Sequence, residues 1–515
     1  MRRPIDRLAL KMDLGVTWQG EEEACAVCGE EVFRDRITAL AASATLSDLF
    51  ATTRSGEEPT LTAVLQVEDD PGWLLVSTKL PGSAFSALTP QLHLASWYER
   101  EILEMHGLMP VGHPGLGPLR LHQWPENHHP MRGQHLETGP LPHSAHTAVR
   151  PSVSGQGVFQ LPLGPVRSGP QESAEFLFSS GGEDIVEVDL RLGFKYRAIE
   201  QLAEGQPAES VIHLAERLAG TSSFANTLAF TRAVERSIGA TVSPTDQHAR
   251  TLLAELERLY NHFGMIGRLA EATGLLVAVA QYGMLKEEVL RAGGRLTGHR
   301  YLRGALRVGG MEIVLSPVDR ERLRAELADW SQRAARLNRL LEQTSTFIDR
   351  LDTTATLLPD YAVEHRLVGP VGRASGIDRD VRRDHPYAAY SSVEFDVPTV
   401  SDGDAEARFQ VHAAELRQSL RIIRQLLGGW PDQERPEDPP RWSAGSALGW
   451  AEAPGGEALH WVELDQNGRV LRWRARPPAL VNWHTFAHAC GSGNNLTDYP
   501  VIEASFAISV AEFDR

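Results

Sequence analysis

The fold of this chain is set by the stretch TLLAELERLYNHFGMIGRL, residues 251–269. Its apolar residues recur at spacings of three and four, which places them on one face of an α-helix. They are Leu252, Leu256, Leu259, Phe263, Ile266 and Leu269. Gly274 follows, and glycine commonly ends a helix. We therefore predict a long amphipathic helix that buries one side and is interrupted near Gly274.

Two more long helices are predicted further along the chain. Ser316-Pro317 is a favourable N-cap and first-turn pair for the first of them. Its apolar stripe is Leu323, Leu327, Trp330, Ala334, Leu337 and Leu341. The second runs from about residue 405 to 427 and is ended by Gly428-Gly429, with Phe409, Leu416, Leu420 and Leu427 facing inward. Together the three helices predict the core of a mainly helical region.

Before this region the pattern is that of a smaller α/β unit. Residues 63–67 and 73–76 read as a hairpin around Asp69-Asp70-Pro71-Gly72, and a helical segment follows at about 95–106. Gly, Pro, Ser and His dominate residues 133–157, which we interpret as a linker. The predicted domains are therefore residues 1–132 and 158–515.

Shorter elements are predicted on both sides of the helical core. Strand character surrounds Gly181-Gly182 within residues 175–189. Residues 431–447 are polar and rich in proline, which indicates a loop. Residues 448–476 read as a hairpin with its turn at Asn467-Gly468.

Composition excludes several classes of protein. The 515 residues carry a net charge of -16, which argues against nonspecific nucleic-acid binding. The longest apolar run, Leu275–Ala280, is far short of the roughly 20 residues that span a bilayer. No signal-peptide pattern follows Met1, so we expect a cytoplasmic protein whose membrane contact comes through partners.

The N-terminal motifs resemble those of a complex I subunit. Residues 97–101 (WYERE), 105–107 (MHG) and 112–114 (GHP) resemble the signature of the small hydrophilic subunit that lies beside the quinone-site subunit. In the second region, a series of segments resembles the hydrogenase large subunit in the same order along the chain. They are 164–167 (GPVR), 216–220 (ERLAG), 257–262 (ERLYNH), 297–300 (TGHR), 373–378 (RASGID) and 384–387 (DHPY).

The fusion of both subunits in one chain resembles the large subunit of formate-hydrogenlyase-type hydrogenases, which are membrane-bound nickel-iron enzymes related to complex I. The resemblance implies an α+β fold: a small α/β N-terminal domain joined to a large, mainly helical domain of the hydrogenase large-subunit or quinone-site-subunit type.

In that family two Cys-x-x-Cys pairs hold nickel and iron, because nickel prefers soft thiolates. The segment of the first pair reads ERLAGTSSFAN here, residues 216–226, so that Ala219 and Ser222 take the cysteine positions and Asn226 replaces a histidine. An ungapped count from Asp498-Tyr499-Pro500 puts Ser509 and Glu512 at the second pair. We therefore predict that the chain binds no metal and is not a working nickel-iron hydrogenase.

The last residues instead resemble the end of the complex I quinone-site subunit, which makes quinone reduction the alternative chemistry. The family's quinone tyrosine falls at Gly220, and its histidine pair falls at Arg167 and Gln171. Gly220 has no side-chain donor, so the chain matches neither parent site. Arg167, Gly220, Asn226 and His299 are the candidate cavity residues.

The candidate catalytic residues are Glu512, Glu216, Asp514 and Arg515. We hypothesise that Glu512 and Glu216 contribute to a proton path or hydrogen-bond network that replaces the metal, since buried carboxylates can relay protons. The alternative is a network that only fills the old cavity with satisfied polar groups.

By resemblance, the chain is a peripheral-arm subunit of a membrane-bound oxidoreductase complex. It would pass electrons from an iron-sulfur partner subunit toward a quinone or another acceptor, binding no cofactor directly, and would sit on membrane ion-translocating subunits at the inner face of the cell membrane. The alternative is a redox-inactive coupling subunit that transmits changes to an antiporter-like membrane arm. No Gly-x-Gly-x-x-Gly follows a strand, so a link to NADH would run through partners.

A few other polar groups invite a functional interpretation. Cys25 and Cys28 form a Cys-x-x-Cys pair without a second pair to complete a zinc site, and Cys490 is expected to be an inert thiol. The cluster of His122, His128 and His129 is expected to be a solvated loop. Arg379, Arg382 and Arg383 are either solvated or make polar contacts near the cavity.

Overall fold

The structure is a computed structural model, and it describes residues 3–120, 125, 128–132, 153–168, 171–431, 440–491 and 493–515. Among the helices in these ranges, none is both long enough and apolar enough to cross a membrane. The predicted linker, residues 133–157, lies mostly outside the described ranges, so the domain boundaries stay a prediction.

The N-terminal region is a five-stranded sheet covered by helices. Its elements are α1 (Pro4–Lys11), β1 (Val16–Gln19), β2 (Glu23–Val27), α2 (Glu30–Leu40), β3 (Ala44–Thr52), β4 (Thr60–Val67), β5 (Trp73–Lys79), β6 (Ala84–Ser86), a 3-10 turn (His93–Ala95), α3 (Ser96–His106) and β7 (Met109–Val111). The strand order is β1-β2-β5-β4-β3, with only β2 and β5 parallel. The predicted hairpin is the antiparallel pair of β4 and β5, and the predicted helix is α3.

The rest of the chain places helices around three smaller sheets. The elements up to the long helices are β8 (Val158–Leu163), β9 (Glu175–Gly181), β10 (Asp184–Arg191), α4 (Ile199–Ala203), α5 (Ala208–Ala215), α6 (Ser223–Ile238), α7 (Pro244–Ala272), α8 (Leu276–Thr297), β11 (Leu306–Arg307), β12 (Gly310–Met311) and α9 (Pro317–Glu342). The predicted strands around Gly181-Gly182 are β9 and β10, which pair antiparallel.

The remaining elements complete the helical core and a C-terminal sheet. They are α10 (Ser345–Leu351), α11 (Pro359–Glu364), α12 (Gly369–Ala374), α13 (Val381–Asp384), a 3-10 turn (Tyr390–Ser392), α14 (Ala405–Gly428), β13 (Gly445–Ala453), β14 (Gly456–Leu464), β15 (Val470–Arg476), α15 (Pro478–Gly491) and α16 (Tyr499–Phe506). Strand β13 begins inside the predicted loop 431–447, because Gly445–Ala447 pair with β14.

The three predicted long helices are α7, α9 and α14, and the apolar residues assigned to their inner faces are buried. Ser316 caps α9 as expected, because its hydroxyl accepts a hydrogen bond from the Asp319 amide. Gly274 has φ +77° between α7 and α8, a conformation that suits glycine and ends the first helix. The α+β fold class is confirmed.

Helix α6 packs so closely on strand β13 that the contact requires glycine. A Cβ atom added at Gly449 would lie 2.1 Å from the Ala229 carbonyl oxygen and 2.4 Å from the Ala233 nitrogen. This close approach holds the middle of α6 against the C-terminal sheet.

Glu101 of α3 joins the N-terminal region to the C-terminal part of the chain. Its carboxylate pairs with Arg120 at 2.6 Å, Arg474 at 2.9 Å and Arg515 at 2.5 Å, and all four side chains are nearly or fully buried. Arg474 also pairs with Asp48 of β3 at 2.8 Å. Because a buried charge needs a counter-charge, these pairs fix the two regions relative to each other.

The first prediction concerns the buried ion pairs of Glu101 with Arg120, Arg474 and Arg515, which we call the Glu101 joint. Arg474→Ala leaves the carboxylates of Glu101 and Asp48 buried with fewer partners, so we expect the free energy of unfolding to fall by about 3–5 kcal/mol. Chemical denaturation of the full chain measures this change. Arg421→Ala removes a pair with Asp396 in which both side chains are largely exposed and should cost no more than about 1 kcal/mol. An equal decrease in the free energy of unfolding for Arg474→Ala and Arg421→Ala would show that the buried Glu101 carboxylate does not depend on its pairing with Arg474.

Candidate functional site

A small cavity of about 20 Å³, roughly the space of one water molecule, lies between the start of α6, helices α7 and α14, the turn between β13 and β14, and the segment 507–512. We call it the central cavity. Its lining residues are Thr221, Ser222, Asn261, His262, Met265, Arg268, His412, Pro454, Gly455, Ala507, Ile508, Ser509 and Glu512.

Three of the four residues predicted to stand at nickel-ligand positions meet at this cavity. Ser222, Ser509 and Glu512 line it, and the Ser222 hydroxyl donates a hydrogen bond to the Glu512 carboxylate. Ala219 is buried but is not among the lining residues, and Gly220 is exposed on the loop before α6. The structure therefore brings together Ser222 and Glu512, which are 290 positions apart in the sequence.

A directed chain of hydrogen bonds ends on Glu512. Asn226 donates from Nδ2 to the Ser222 hydroxyl oxygen at 2.9 Å, and its Oδ1 lies 3.1 Å from His460 Nε2. Trp473 Nε1 lies 3.1 Å from His460 Nδ1. An indole N–H can only donate, so His460 accepts at Nδ1 and must carry its proton on Nε2. Each member in turn donates toward Glu512.

This chain orients Glu512 but does not conduct protons. The amide of Asn226 and the indole of Trp473 do not exchange protons near neutral pH, and burial lowers the pKa of His460 to about 3, which keeps the imidazole neutral. No proton therefore reaches or leaves Glu512 along the chain from Trp473 to Asn226.

Glu512 is buried, and among the described residues no cationic side chain donates a hydrogen bond to it. Burial raises the pKa of its carboxyl to about 7, although Ser222, Asn226 and the Ala479 amide in the first turn of α15 donate to it and pull the pKa down. The carboxyl can therefore hold or release a proton near neutral pH.

Glu257 of α7 is a second buried carboxyl that accepts hydrogen bonds from neutral donors. Its carboxylate accepts from the amides of Phe224 and Ala225 at 2.7 and 2.8 Å, at the N-terminus of α6, and from the Tyr260 hydroxyl at 3.2 Å. Burial raises its pKa to about 8, and the charge of Glu512 adds to the rise. Glu257 is absent from the predicted site residues, although it lies in one of the motifs that carried the resemblance.

Two histidines of the cavity wall were also missed by sequence reasoning. His262 Nδ1 and His412 Nδ1 lie 2.9 Å apart, and His412 Nε2 has no hydrogen-bond partner among the described residues. Burial lowers the pKa of His412 to about 3, so its ring is neutral. A buried ring nitrogen left without a partner is a natural contact for a polar ligand in the cavity.

Arg167 and Ser509 meet through Glu172. The Glu172 carboxylate accepts from the Ser509 hydroxyl at 2.8 Å and from the Val510 and Ala511 amides. Arg167 donates to the Glu172 carbonyl at 2.8 Å and pairs with Glu503 at 2.5 Å. Arg167 therefore holds the wall of the cavity through Glu172, although it is not itself a lining residue.

Glu216 and His299 belong to a different cluster. The Glu216 carboxylate accepts from the Gly304 amide and lies 3.5 Å from His213 and 3.6 Å from Arg217. His299 Nδ1 accepts from the Tyr301 amide at 3.1 Å. Neither residue lines the central cavity. The structure thus separates Glu216 from Glu512, because the Glu216 carboxylate is used to hold the loop after α8.

Asp514 and Arg515 anchor the segment that carries Glu512. The fully buried Arg515 pairs with Glu101 and with Glu200 at 3.1 Å. Burial raises the pKa of Asp514 to about 6, while its backbone carbonyl accepts from the Arg197 amide at 2.9 Å. Their contacts give them a positioning role in the structure.

The residues present do not fit the nickel-iron group. Ala219 offers no ligand atom, the Ser222 hydroxyl donates to Glu512, and the Ser509 hydroxyl donates to Glu172. Nickel in such a centre requires thiolates, and neutral hydroxyls that are already donating cannot replace them.

The structure also places most of the cysteines, histidines and arginines that the sequence analysis singled out. Burial, with Glu23 beside it, raises the pKa of Cys25 to about 12, which disfavours a thiolate. Cys490 is buried in α15. His122 lies outside the described residues, and His129 Nδ1 lies 3.0 Å from the Glu104 carbonyl oxygen. Arg382 is buried and pairs with Asp380 at 2.6 Å and Glu255 at 2.9 Å, so this part of the run is not solvated.

Comparison with protein families matches both parts of the chain. Residues 30–140 match the model for the 30 Kd subunit of respiratory-chain NADH dehydrogenase. Residues 273–442 and 437–515 match the model for the 49 Kd subunit of the same enzyme.

Individual relatives cover most of the chain. Formate hydrogenlyase subunit 5 of Escherichia coli K12 is 29% identical over 84% of this chain and 78% of its own length. Hydrogenase-4 component G of the same organism is 30% identical, covering 84% of this chain and 76% of its own length. An NADH-quinone oxidoreductase subunit of Roseiflexus sp. RS-1 is 30% identical over 69% of this chain and 98% of its own length.

The second prediction follows from the carboxyl of Glu512. Its pKa is about 7 in the folded protein against an ordinary value of 4.5, so the folded state binds more protons between these values. The free energy of unfolding should therefore fall as pH rises from about 4.5 to 7, with roughly 3 kcal/mol due to Glu512. Glu512→Gln removes this part of the slope, which denaturation at a series of pH values measures. Glu394→Gln, an exposed control, should keep the wild-type slope, and an unchanged slope in Glu512→Gln would contradict the prediction.

The third prediction concerns nickel. Because the hydroxyls and the carboxylate at the old ligand positions bond to one another and to Glu172, the purified chain should contain nickel only in traces. Elemental analysis of the native complex measures this content, and one nickel per chain would show that the assignment of the ligand positions is wrong.

Proposed function

The chain belongs to the family that unites hydrogenase-4 component G with the 49 Kd-type subunit of NADH-quinone oxidoreductase, and from this premise we propose that it is an electron-passing, non-hydrogenase subunit of a membrane-bound oxidoreductase complex. In this proposal electrons from an iron-sulfur partner reach an acceptor at the central cavity, which must widen to admit it because its volume is only about 20 Å³. The acceptor is a quinone or another group that takes up protons when it is reduced.

The observation that carries the proposal is a pair of ionisable carboxyls, Glu512 in the cavity wall and Glu257, which is not a lining residue. Glu512 lines the cavity, and Glu257 stands close enough for the two charges to interact. Both pKa values are raised, to about 7 and about 8, so that protons are held near neutral pH. Reduction of a quinone by two electrons consumes two protons, and a site that holds protons beside the acceptor suits this reaction.

The contacts of the cavity wall give each residue a separate task. His412 Nε2, which lacks a partner among the described residues, can donate to or accept from a carbonyl or hydroxyl of the acceptor. Glu512 gives its proton to the reduced acceptor and is protonated again through the cavity. Ser222, Asn226, His460 and Trp473 hold the Glu512 carboxyl in place.

Hydrogen turnover is not part of the proposal. The family's chemistry on hydrogen depends on nickel, and the four ligand positions here are Ala219, Ser222, Ser509 and Glu512. We propose the same partners that the resemblance implies: an iron-sulfur small subunit and membrane ion-translocating subunits, with the chain at the cytoplasmic face of the membrane.

A second candidate is a coupling subunit without redox chemistry, and one observation favours it. A buried network of ion pairs joins Arg373 to Glu415, Glu452 and Asp380, and His262 of the cavity wall lies 3.4 Å from Glu415. Burial and the charge of Asp380 raise the pKa of Glu452 to about 7. A change of charge at Glu452 would alter the network without any electron transfer.

The fourth prediction tests the electron-passing function. In the native complex, isolated through a tag on this chain, the reduced iron-sulfur clusters should be reoxidised quickly by a soluble quinone analogue. Glu512→Gln removes the proton but keeps the shape and can still accept from Ser222, so we expect reoxidation to slow by about 10²-fold or more. Stopped-flow absorbance of the clusters measures the rate.

Glu394→Gln serves as the control. The Glu394 side chain is exposed and does not line the cavity, so this variant should leave the reoxidation rate unchanged. Reoxidation that is equally fast in Glu512→Gln would remove the proton-donating role of this residue. A complex without reducible clusters, or with no quinone-dependent reoxidation, would instead favour the coupling function.

A further inference from the structure

Three histidines from distant parts of the chain converge where the N-terminal region meets the C-terminal helices. They are His93 in the 3-10 turn before α3, His365 directly after α11, and His484 in α15. One ring nitrogen from each lies within 4.8 Å of the others, and His93 Nδ1 lies 3.1 Å from His365 Nε2. We call this group the histidine triad.

The contacts of His365 determine which of its nitrogens is free. His365 Nδ1 lies 3.0 Å from the Tyr361 carbonyl oxygen. A carbonyl oxygen can only accept, so Nδ1 carries the proton and the neutral ring presents a lone pair at Nε2 toward the triad. A histidine that donates its other N–H to a backbone carbonyl is the usual arrangement around metal ions in proteins.

Aromatic packing holds the rings in place. Tyr361 stacks on His365 with 4.0 Å between ring centroids, Trp97 lies 5.0 Å from His484, and the rings of His93 and His484 are nearly parallel at 5.2 Å. His365 is buried whereas His93 is exposed, so the triad has one open side toward solvent.

From this geometry we infer that the histidine triad is a binding site for a divalent transition-metal ion, for which Zn²⁺ is the test ion. Two nitrogens bound to one tetrahedral zinc ion are about 3.4 Å apart, close to the His93–His365 separation of 3.1 Å. Three imidazoles with an open side also match the sites in which water or another small ligand completes the zinc sphere.

The protonation states suit a metal as well. Burial and the neighbouring histidines lower the pKa of His484 to about 3, and burial lowers the pKa of His365, so both rings are neutral. Without a metal, the contact between His93 and His365 requires a proton on His93 Nδ1. When the His93 proton moves from Nδ1 to Nε2, Nδ1 presents a lone pair that can bind the metal ion. The imidazole rings keep the same net charge in this change of tautomer.

The site would connect two parts of the structure. His93 belongs to the N-terminal region, while His365 and His484 lie more than 250 residues further along the chain. A bound ion would therefore tie the N-terminal region to α11 and α15, independently of the Glu101 joint and of the central cavity.

The fifth prediction tests this site on the full chain, first stripped of metal with a chelator and then equilibrated with Zn²⁺. We expect one zinc per chain by mass spectrometry, a rise in the unfolding temperature with added zinc, and with Co²⁺ the visible absorption of a tetrahedral complex. His93→Ala and His484→Gln should each lose the bound zinc and the rise in unfolding temperature.

His213→Ala is the control, because the exposed His213 of α5 lies beside Glu216 and is not part of the triad. This variant should keep one zinc and the cobalt spectrum. Since His93 is exposed, His93→Ala should fold, which far-ultraviolet circular dichroism checks. Zinc binding that survives in both triad variants, or that is absent from the wild-type chain, would overturn the assignment.

Discussion

Glu101 carries the interaction on which the geometry of the rest depends. Its carboxylate is buried among Arg120, Arg474 and Arg515, which come from three distant parts of the sequence. A buried carboxylate without a counter-charge is very costly, so the three arginines have to meet there. Arg515 lies three residues after Glu512, and its pairing fixes the segment that lines the central cavity. The position of Glu512 against Ser222 is thus a consequence of a charge pair in another part of the molecule.

The cavity solves the same electrostatic problem in a different way. At Glu101 the buried charge is neutralised by arginines, and the carboxyl stays ionised because these cations lower its pKa below the usual range. At Glu512 and Glu257 the partners are hydroxyls and amides at helix N-termini, which compensate burial only in part. The outcome is two carboxyls that hold protons near neutral pH. The resemblance implies thiolates around a metal ion in this region. This chain instead has carboxylates, which become neutral when they bind a proton.

Sequence reasoning predicted what depends on local periodicity and on motifs. The apolar stripes of α7, α9 and α14 and the hairpin of β4 and β5 follow from residue spacing, whereas the assignment of Ser222, Ser509 and Glu512 to ligand positions rests on family motifs and stays a prediction. It failed where the answer depends on long-range packing. Sequence reasoning grouped Glu216 with Glu512, but the Glu216 carboxylate accepts a hydrogen bond from the Gly304 amide. It also left open whether Arg382 is solvated, but Arg382 is buried and pairs with Asp380 and Glu255. His93, His365 and His484 share no local pattern, because their proximity is created only by the tertiary fold.

The directed hydrogen bonds at Glu512 bear on how the cavity can work. Since Trp473 can only donate and Asn226 does not transfer protons, the chain from Trp473 to Ser222 cannot supply protons from behind. Under the proposed function, Glu512 exchanges its proton with the acceptor at the cavity. His412, whose Nε2 has no partner among the described residues, belongs to the same cavity wall. The proposal therefore assigns a proton-holding carboxyl and a neutral imidazole to one acceptor, which is what proton-coupled reduction requires.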